Sequence, residues 1–236
     1  MALDDTPVAQ LQDVAMRYGD GREVVRDIQL KLSSGSFHFL MGPSGAGKSS
    51  LLRVLALAEP IARGRIRLFG RDVAKPERAE IGALQRRIGV VFQDFRLLDH
   101  LTAFDNVALP LRLAGGADAQ IVQHVGELLS WLGLGQLLES KPPELSMGQR
   151  QMLAVARAVV GRPNLLLADE PTSSVDGGHA RRLMHLLLSL HRIGTTVVVA
   201  THSEFLVRQH RFPVLEMEQG RLRARLPAPV VTSLSA

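Results

Sequence analysis

The 236-residue sequence contains no cysteine, few aromatic residues and no long apolar run. Without cysteine the chain has neither disulfides nor cysteine-ligated metal sites, which is typical of proteins in a reducing compartment. No run approaches the roughly eighteen consecutive apolar residues that a transmembrane helix requires. Met1–Asp5 also lacks the basic and apolar regions of a signal peptide. We therefore expect neither a secretion signal nor a membrane-spanning helix.

The charge balance is only mildly basic, with 28 basic and 23 acidic residues and a net charge of +5. A surface that binds nucleic acid combines a continuous basic face with interleaved aromatic residues, and aromatic residues are only 4% of this chain. Three of the positive charges, Arg221, Arg223 and Arg225, lie near the C-terminus. We expect no nucleic-acid partner and at most a weak attraction to an anionic membrane surface.

One segment matches the phosphate-binding pattern G-x-x-x-x-G-K-[ST] at every position. Residues 37–41 before it predict a buried strand and residues 50–57 after it predict a helix, which is the context that the pattern needs. Backbone N–H groups of such a turn converge on phosphate oxygens at the positive end of the helix. We expect Lys48 to bridge the β- and γ-phosphates and the Ser49 hydroxyl to bind Mg²⁺. The predicted nucleotide contacts here are Gly42, Pro43, Ser44, Gly45, Ala46, Gly47, Lys48, Ser49 and Ser50.

The single tyrosine, Tyr18, lies upstream of this segment, after apolar residues that alternate as in an antiparallel strand. Its ring is placed where it could stack on an adenine base. Ordinary packing within the strand explains the residue equally well at this level. Both interpretations stay open.

Polar residues follow several predicted strands of the core. Asp169 and Glu170 end a continuous apolar run, and Gln93 and His202 end two others. Asp169 suits a Mg²⁺ contact through water, and Glu170 suits the general base for an attacking water. Gln93 and His202 are placed to orient that water and sense the γ-phosphate. A single histidine at a strand end is more often structural, so this interpretation depends on the four residues together.

These motifs, in this order, resemble those of ABC-type ATPases over about residues 11–220. The P-loop is 42–49, the Q-loop glutamine is Gln93, and the catalytic carboxylates are Asp169-Glu170. The switch histidine is His202, and Leu145-Ser146-Met147-Gly148-Gln149 stands where the family has Leu-Ser-Gly-Gly-Gln. The resemblance implies catalytic roles for Glu170, His202, Gln93 and Lys48, and Mg²⁺ contacts by Ser49, Gln93 and Asp169. It also implies an ATPase whose cofactors are ATP and Mg²⁺.

The family resemblance further implies a homodimer that encloses two ATP molecules. The signature segment of one copy, with Ser146, Gly148 and Gln149, would contact the ATP held by the P-loop of the other. The D-loop, Ser173-Ser174-Val175-Asp176, adds Asp176 to these contacts. Met147 replaces the first signature glycine. We expect the ATP contact to survive this change, and slow turnover is a consequence that the substitution leaves open.

Within this family the sequence is most similar to the cell-division branch, the FtsE family. The segments that carry this likeness are 44–48, 91–98, 105–111, 154–160 and 166–172. The likeness implies an FtsX-like integral membrane partner that regulates cell-wall hydrolases, and a position on the cytoplasmic face of the bacterial inner membrane, reached through that partner. A subunit of an exporter or lipoprotein-release transporter and an ATP-dependent division scaffold with incidental hydrolysis are the alternatives. Residues 94–101 are the predicted docking segment, and burial of their apolar side chains within the domain is the alternative interpretation.

The resemblance also implies the fold class. We expect an α/β P-loop NTPase core with a parallel sheet, together with an antiparallel β-subdomain. A helical subdomain at about 94–158 is inserted into a single domain spanning 8–224, and 225–236 is a flexible tail. The pattern of the inserted part predicts one buried stripe: Ile121, Val122, Val125, Leu128, Leu129 and Leu132.

Overall fold

The computed structural model describes residues 7–73, 78–173 and 175–225. The strands are β1 (Pro7–Arg17), β2 (Glu23–Ser33), β3 (Phe37–Met41), β4 (Arg63–Leu68), β5 (Arg71–Asp72), β6 (Ile88–Val91), β7 (Leu165–Asp169), β8 (Thr196–Ala200), β9 (Val214–Glu218) and β10 (Arg221–Arg225). The helices are α1 (Lys48–Leu55), α2 (Arg78–Gln85), α3 (Ala103–Leu113), α4 (Asp118–Trp131), α5 (Met147–Val159), α6 (Gly177–Arg192) and α7 (Glu204–His210). The tail predicted from residue 225 onward falls outside the described residues, except Arg225, which ends β10, and Ser174 of the D-loop also falls outside them.

The strands form two sheets. An antiparallel sheet has the order β2-β1-β4-β5, and a six-stranded sheet has the order β10-β9-β3-β8-β7-β6. In the second sheet all neighbouring strands are parallel except the edge pair β9 and β10. Every residue of β7 and β8 is buried, because helices or the other sheet cover both faces of a central parallel strand. The predicted parallel core and antiparallel sheet are both present.

Alternate residues of the central strands enter two separate hydrophobic cores. On β7, Leu166 and Ala168 pack on the face covered by α3 to α6, whereas Leu165 and Leu167 pack toward α1 and the antiparallel sheet. This alternation follows from the two-residue period of a strand. The central sheet is therefore a rigid middle layer between helices and the antiparallel sheet.

The strand register brings the ends of the core strands to one edge. Ala200 pairs with Asp169 on one side and with Leu40 on the other, and Val91 pairs with Ala168. The residues that follow these strands consequently lie along the same carboxyl edge, where open α/β sheets bind ligands.

Three helices, α3, α4 and α5, lie between β6 and β7 in the chain. The Thr102 hydroxyl accepts a hydrogen bond from the Asp105 backbone N–H at 3.0 Å and thereby caps α3. The prediction of one stripe on α4 is wrong at Val122, whose side chain is 58% exposed. Val122 is rotated by about 100° from Ile121 around the helix, and this turns it away from the buried face.

Within the described part of the chain, each helix is too short or too polar to span a membrane.

Candidate active site

The P-loop connects β3 to α1 through two glycines that no other residue could replace. Gly42 has a φ of 152°, and a Cβ there would lie 2.1 Å from the carbonyl oxygen of Met217. Gly47 has a φ of 103°, and a Cβ there would lie 2.9 Å from the carbonyl oxygen of Val24. Glycines with positive φ allow a tight loop, in which the Ala46 N–H donates to the Pro43 carbonyl at 3.2 Å and other N–H groups can point at an anion in front of α1.

The Lys48 ammonium folds back over this loop. Its Nζ donates hydrogen bonds to the carbonyl oxygens of Gly42 at 2.7 Å and Pro43 at 3.2 Å. The residue is only 8% exposed, so the charge is held at the loop rather than in solvent. A buried ammonium in this position can transfer its hydrogen bonds to phosphate oxygens.

A cleft of about 340 Å³ opens beside the start of α1. Its lining residues are Ser49, Arg53, Phe92, Gln93, Asp94 and Asp169. The structure therefore brings together the three predicted metal contacts, Ser49, Gln93 and Asp169, from α1 and from the ends of β6 and β7. Arg53 and Phe92 were not predicted as site residues, and Asp94 was predicted only as part of the docking segment 94–101, because no motif places these three residues at the cleft.

Asp169 is the buried carboxylate of this cleft. It is 7% exposed, and within the described residues its Oδ1 atom is buried with no hydrogen-bond partner. Burial raises the pKa of Asp169, and the negative charge of Glu170 acts in the same direction, whereas a hydrogen bond with Ser49 and the charges of Lys48 and Arg53 lower it. A buried carboxylate oxygen without a partner is unfavourable unless a cation or water binds it. The site therefore fits a divalent cation.

The side chains around this oxygen suit Mg²⁺, which takes several ligands from water and phosphate, better than a cation whose ligands all come from the protein. Among the described residues there is no group of three or more histidine, aspartate or glutamate side chains that could hold a metal. Mg²⁺ in nucleotide enzymes usually binds one or two carboxylates, water and substrate phosphates. The Ser49 hydroxyl and the Gln93 amide supply further oxygens at the same cleft.

Glu170 and His202 form a pair next to Asp169. The Nδ1 atom of His202 lies 2.9 Å from Oε1 of Glu170. The Glu170 side chain is 11% exposed and that of His202 is 71% exposed, so the imidazole covers the carboxylate from the solvent side. Glu170 has a φ of 47°, and its N–H donates to the carbonyl of Ala200 at 2.9 Å. Its backbone thus leaves β7 in a strained conformation that the neighbouring strand holds.

Tyr18 follows β1 and is anchored to α1. Its hydroxyl lies 3.1 Å from the Ser50 hydroxyl and accepts a hydrogen bond from Arg53 at 3.1 Å. The residue is 41% exposed, more than a ring packed within a strand would be. The hydroxyl therefore fixes an exposed aromatic ring near the P-loop helix, and stacking on adenine stays a prediction.

The signature segment lies elsewhere. Ser146 and Gln149 form a reciprocal cap, in which the Gln149 N–H donates to the Ser146 hydroxyl at 3.3 Å and the Ser146 N–H donates to the Gln149 amide oxygen at 2.8 Å. Met147 is 58% exposed. None of the residues that line the cleft comes from 146–149. Within one chain the structure does not bring this segment to the P-loop.

Asp176 also lies outside the cleft, where it caps α6. Its carboxylate accepts hydrogen bonds from the N–H groups of His179 at 3.0 Å and Gly178 at 2.8 Å, and it contacts His179 Nδ1 at 2.6 Å. The backbone and side chain of His179 and the backbone of Gly178 together lower the pKa of Asp176 to about 2. Asp176 is thus a fixed negative charge at the start of α6.

The segment after Gln93 is held by two residues that the sequence did not reveal. Arg157 of α5 donates hydrogen bonds of 2.7 Å to the carbonyls of Phe95 and Arg96, both of which have positive φ. The fully buried Asn106 side chain accepts from the Leu98 N–H and donates to the Leu98 carbonyl. Arg157 lies about 60 residues from the carbonyls that it binds, and the sequence around it carries no signal for such a contact.

The side chains of this segment are divided between the interior and the surface. Leu97 packs against the helical core, and Phe95 and Leu98 are half-buried. Asp94, Arg96, Asp99 and His100 are exposed. Residues 94–101 therefore expose charged side chains, while Arg157 and Asn106 hold their backbone by hydrogen bonds. Docking of a partner on this surface stays a prediction.

Comparison with known proteins identifies similar chains. The family described as ABC transporter matches residues 25–173. The cell division ATP-binding protein FtsE of Mycobacterium tuberculosis is 42% identical over 213 residues, which cover 90% of this chain and 93% of that protein. The methionine import ATP-binding protein MetN of Xylella fastidiosa is 38% identical over 217 residues, which cover 90% of this chain and 65% of that protein.

The fold comparison agrees. A dimeric post-hydrolysis structure of the ATP-binding cassette MJ0796, bound to ADP and Pi, superimposes with a TM-score of 0.87 at 31% identity. The match covers 94% of this chain and all of that one. The α/β fold predicted from the sequence is confirmed.

Proposed function

Because the chain belongs to the ABC transporter family of ATP-binding proteins, and is an ATPase, we propose that it is the ATP-hydrolysing subunit of an FtsEX-like membrane complex in cell division. The observation that carries the hydrolytic part is the 2.9 Å contact between His202 and Glu170, next to the unpartnered oxygen of Asp169. A carboxylate oriented by an imidazole beside a phosphate-binding loop is the arrangement that water activation requires.

ATP binding is assigned to the P-loop and its flanks. The backbone N–H groups of Gly45, Gly47, Lys48 and Ser49 and the Lys48 ammonium face the phosphates, and the Tyr18 ring stacks on the adenine. Ser49, Asp169 and Gln93 would hold Mg²⁺, which neutralises charge on the phosphate oxygens. The buried Asp169 Oδ1, which lacks a partner among the described residues, supports this assignment.

Hydrolysis uses the residues at the carboxyl edge of the central sheet. Glu170 takes a proton from the attacking water, and His202 holds the Glu170 carboxylate in place. Gln93 orients the same water from the end of β6. The contact with the His202 imidazole supports a role as base, because it holds the Glu170 carboxylate in one orientation.

We propose that a second copy completes the site. The signature residues Ser146, Gly148 and Gln149, together with Asp176, would contact ATP held by the P-loop of the partner subunit. Two features support this: the signature segment lies outside the cleft of its own chain, and the related cassette MJ0796 forms a dimer bound to ADP and Pi. The positive end of α5, where the N–H groups of Met147 and Gly148 lie beside the Ser146–Gln149 cap, suits a phosphate.

The role in cell division rests on the FtsE relative. We propose an FtsX-like integral membrane partner that docks on residues 94–101 and holds the chain at the cytoplasmic face of the bacterial inner membrane. Dimer closure and opening would then move this partner, which regulates cell-wall hydrolases. The anchoring of 94–101 by Arg157 and Asn106 supports docking, because a rigid segment next to Gln93 transmits a displacement.

A transporter subunit is the second candidate, and the MetN relative favours it. In that case the membrane partner would move a solute instead of regulating hydrolases. Co-expression with an FtsX-like protein or with a transporter permease distinguishes the two. We expect co-purification with the FtsX-like protein, and Asp99→Lys combined with His100→Glu, at exposed positions outside the cleft, should abolish it without changing ATP affinity.

Glu170→Gln tests closure and hydrolysis together. The variant keeps the shape of the side chain but loses the base, so ATP hydrolysis should fall by roughly 10²–10⁴-fold. Light scattering should find a dimer with MgATP and a monomer with ADP. Glu80→Gln, at an exposed position on α2, is a control for loss of a negative charge and should keep hydrolysis. A monomeric Glu170→Gln variant that dimerises only after Met147→Gly would favour the scaffold over the ATP-driven motor. If hydrolysis is unchanged in Glu170→Gln, the proposed base is wrong.

The scaffold alternative is decided in cells. If Glu170→Gln protein supports division as well as the unmodified chain, hydrolysis is incidental and the chain acts as an ATP-dependent scaffold. We expect division to fail in this variant.

A further inference from the structure

Met147 differs from the other described methionines in exposure. The chain has seven methionines, and Met1 lies outside the described residues, which leaves six. Met147 is 58% exposed, whereas Met16, Met152, Met184 and Met217 are at most 4% exposed and Met41 is partly buried. Because the chain has no cysteine, its methionines are its only sulfur-containing side chains. An exposed thioether is the group that an oxidant reaches first.

The Met147 thioether also lies within the signature segment. Met147 is the first residue of α5 and lies between the capping residue Ser146 and Gly148. The reciprocal cap between Ser146 and Gln149 fixes the backbone on both sides of it. A chemical change of the Met147 side chain therefore alters the surface of the signature segment, while the cap keeps the start of α5 folded.

We propose that Met147 is a reversible oxidation site through which hydrogen peroxide lowers the ATPase activity of this chain. The sulfur lone pair attacks one peroxide oxygen, the O–O bond breaks and an S–O bond forms. The proton on the transferred oxygen passes to the departing hydroxide, which leaves as water. The sulfur is oxidised by two electrons and the peroxide is reduced. Thiol-dependent methionine sulfoxide reductases reverse the change.

The effect on activity rests on the proposed closure of two copies. The sulfoxide is polar and bears a partly negative oxygen, which the flexible apolar thioether does not. In the closed dimer this oxygen would lie on the surface that meets the γ-phosphate, where negative charge is repelled. The same closure would cover Met147, so MgATP should protect it from peroxide in the Glu170→Gln variant.

Selective oxidation is measured by mass spectrometry of peroxide-treated protein. Tryptic cleavage after Arg150 separates Met147 from Met152, a buried methionine on the same helix that serves as an internal control. We expect Met147 to be oxidised roughly tenfold faster than Met152, since accessibility controls the rate. Equal rates for the two methionines would overturn the proposal.

The consequence is measured as ATPase activity before and after peroxide, with each variant compared with its own untreated sample. The unmodified chain should lose activity roughly fivefold or more, a typical size for coupling between sites. A mixture of the two methionine sulfoxide reductases with dithiothreitol should restore it. Met147→Leu should keep its activity under peroxide, whereas Met41→Leu, the matched control, should lose it like the unmodified chain. Equal losses in Met147→Leu and the unmodified chain would refute a role for this residue.

Two further measurements separate this inference from the function on which it rests. Met147→Gln places a polar side chain at the position without an oxidant, and its activity should be low before any treatment. Oxidised Glu170→Gln protein should fail to dimerise with MgATP, whereas the reduced protein should dimerise. If the reduced Glu170→Gln protein is monomeric with MgATP and stays so after Met147→Gly, the proposed closure is wrong, and the activity effect fails with it. The ratio of oxidation rates still tests the modification site in that case.

Discussion

Nδ1 of His202 lies 2.9 Å from a carboxylate oxygen of Glu170, and this contact joins the ends of β8 and β7. Thirty-two residues separate the two in sequence. The pairing of β7 with β8, in which Asp169 lies opposite Ala200, places them side by side. The pairing of β7 with β8 thus sets the distance between the two side chains. Because His202 contacts the Glu170 carboxylate, it is a positioning residue for Glu170.

His202→Ala should lower kcat for ATP hydrolysis by about 10²-fold, because Glu170 loses the group that orients its carboxylate. ATP affinity should stay close to that of the unmodified chain, since the P-loop and Lys48, rather than His202, are assigned to hold the phosphates. Steady-state ATPase kinetics and calorimetry measure the two quantities. His124→Ala, an exposed histidine on α4, is the matched control and should change neither. An equal loss of affinity and kcat would mean that His202 acts in binding.

Lys48→Ala should weaken MgATP binding by at least about 10–100-fold, since hydrogen bonds from an ammonium to phosphate are lost. Calorimetry on the folded variant measures this change. Lys31→Ala removes an exposed lysine from β2 and should leave the affinity unchanged. Ser49→Ala should instead raise the Mg²⁺ concentration needed for activity more than it lowers nucleotide affinity. Unchanged ATP affinity in Lys48→Ala would place the phosphates elsewhere.

Arg157→Ala should lower kcat by roughly 10–100-fold with little change in ATP affinity, because the segment after Gln93 loses its two anchoring hydrogen bonds. Arg157→Lys keeps the charge but cannot donate to both carbonyls in the planar geometry of arginine, so it should restore activity only in part. Arg181→Lys, on the exposed face of α6, is the control and should be fully active. Full activity of Arg157→Ala would show that the segment needs no anchor.

Asn106→Ala should destabilise the fold by about 2–3 kcal/mol, because buried backbone groups of 98–102 lose their partner. The melting temperature should fall by roughly 4–12 °C. Gln123→Ala, an exposed amide on α4, should leave it almost unchanged. Calorimetry measures both, and similar values for the two variants would contradict a structural role for Asn106.

Asp176 should stabilise the start of α6 in a pH-dependent way. Hydrogen bonds from His179 and Gly178 hold its pKa at about 2. This value lies below the ordinary pKa of about 3.9, so the stabilisation is complete above pH 4 and is lost as the pH falls toward 2. Asp176→Asn keeps a cap but has no charge to lose. The difference in melting temperature between the unmodified chain and this variant should therefore narrow from pH 6 to pH 3, whereas Asp20→Asn should give no such change.

Local motifs were readable from the sequence because they depend on neighbouring residues. The P-loop needs glycines where φ is positive, as at Gly42 and Gly47. The cap at Thr102 needs a hydroxyl placed three residues before a free N–H group. The buried strands β7 and β8 need continuous apolar runs. Such features determined the nucleotide-binding segment, the central strands and the α/β class.

Several short strands and helices could not be predicted from the sequence. The sequence predicted none of β5, with two residues, β9, with five, and α7, with seven. A two-residue strand and a seven-residue helix contain too few residues for a period to be recognised. β9 is as long as β7, but Glu216 and Glu218 interrupt the apolar run that marks a buried strand. Val122 shows the related limit, since an apolar residue beside a stripe can face solvent.

Contacts between distant segments were decided only by the tertiary structure. The sequence identified Glu170 and His202 as separate strand ends, and the register of the central sheet brought them within 2.9 Å. Arg157 had no functional signal of its own, although it bonds to carbonyls 61 and 62 residues away. The physical reason is that side-chain distances across a domain depend on how sheets and helices pack, whereas propensity and spacing act only along the chain.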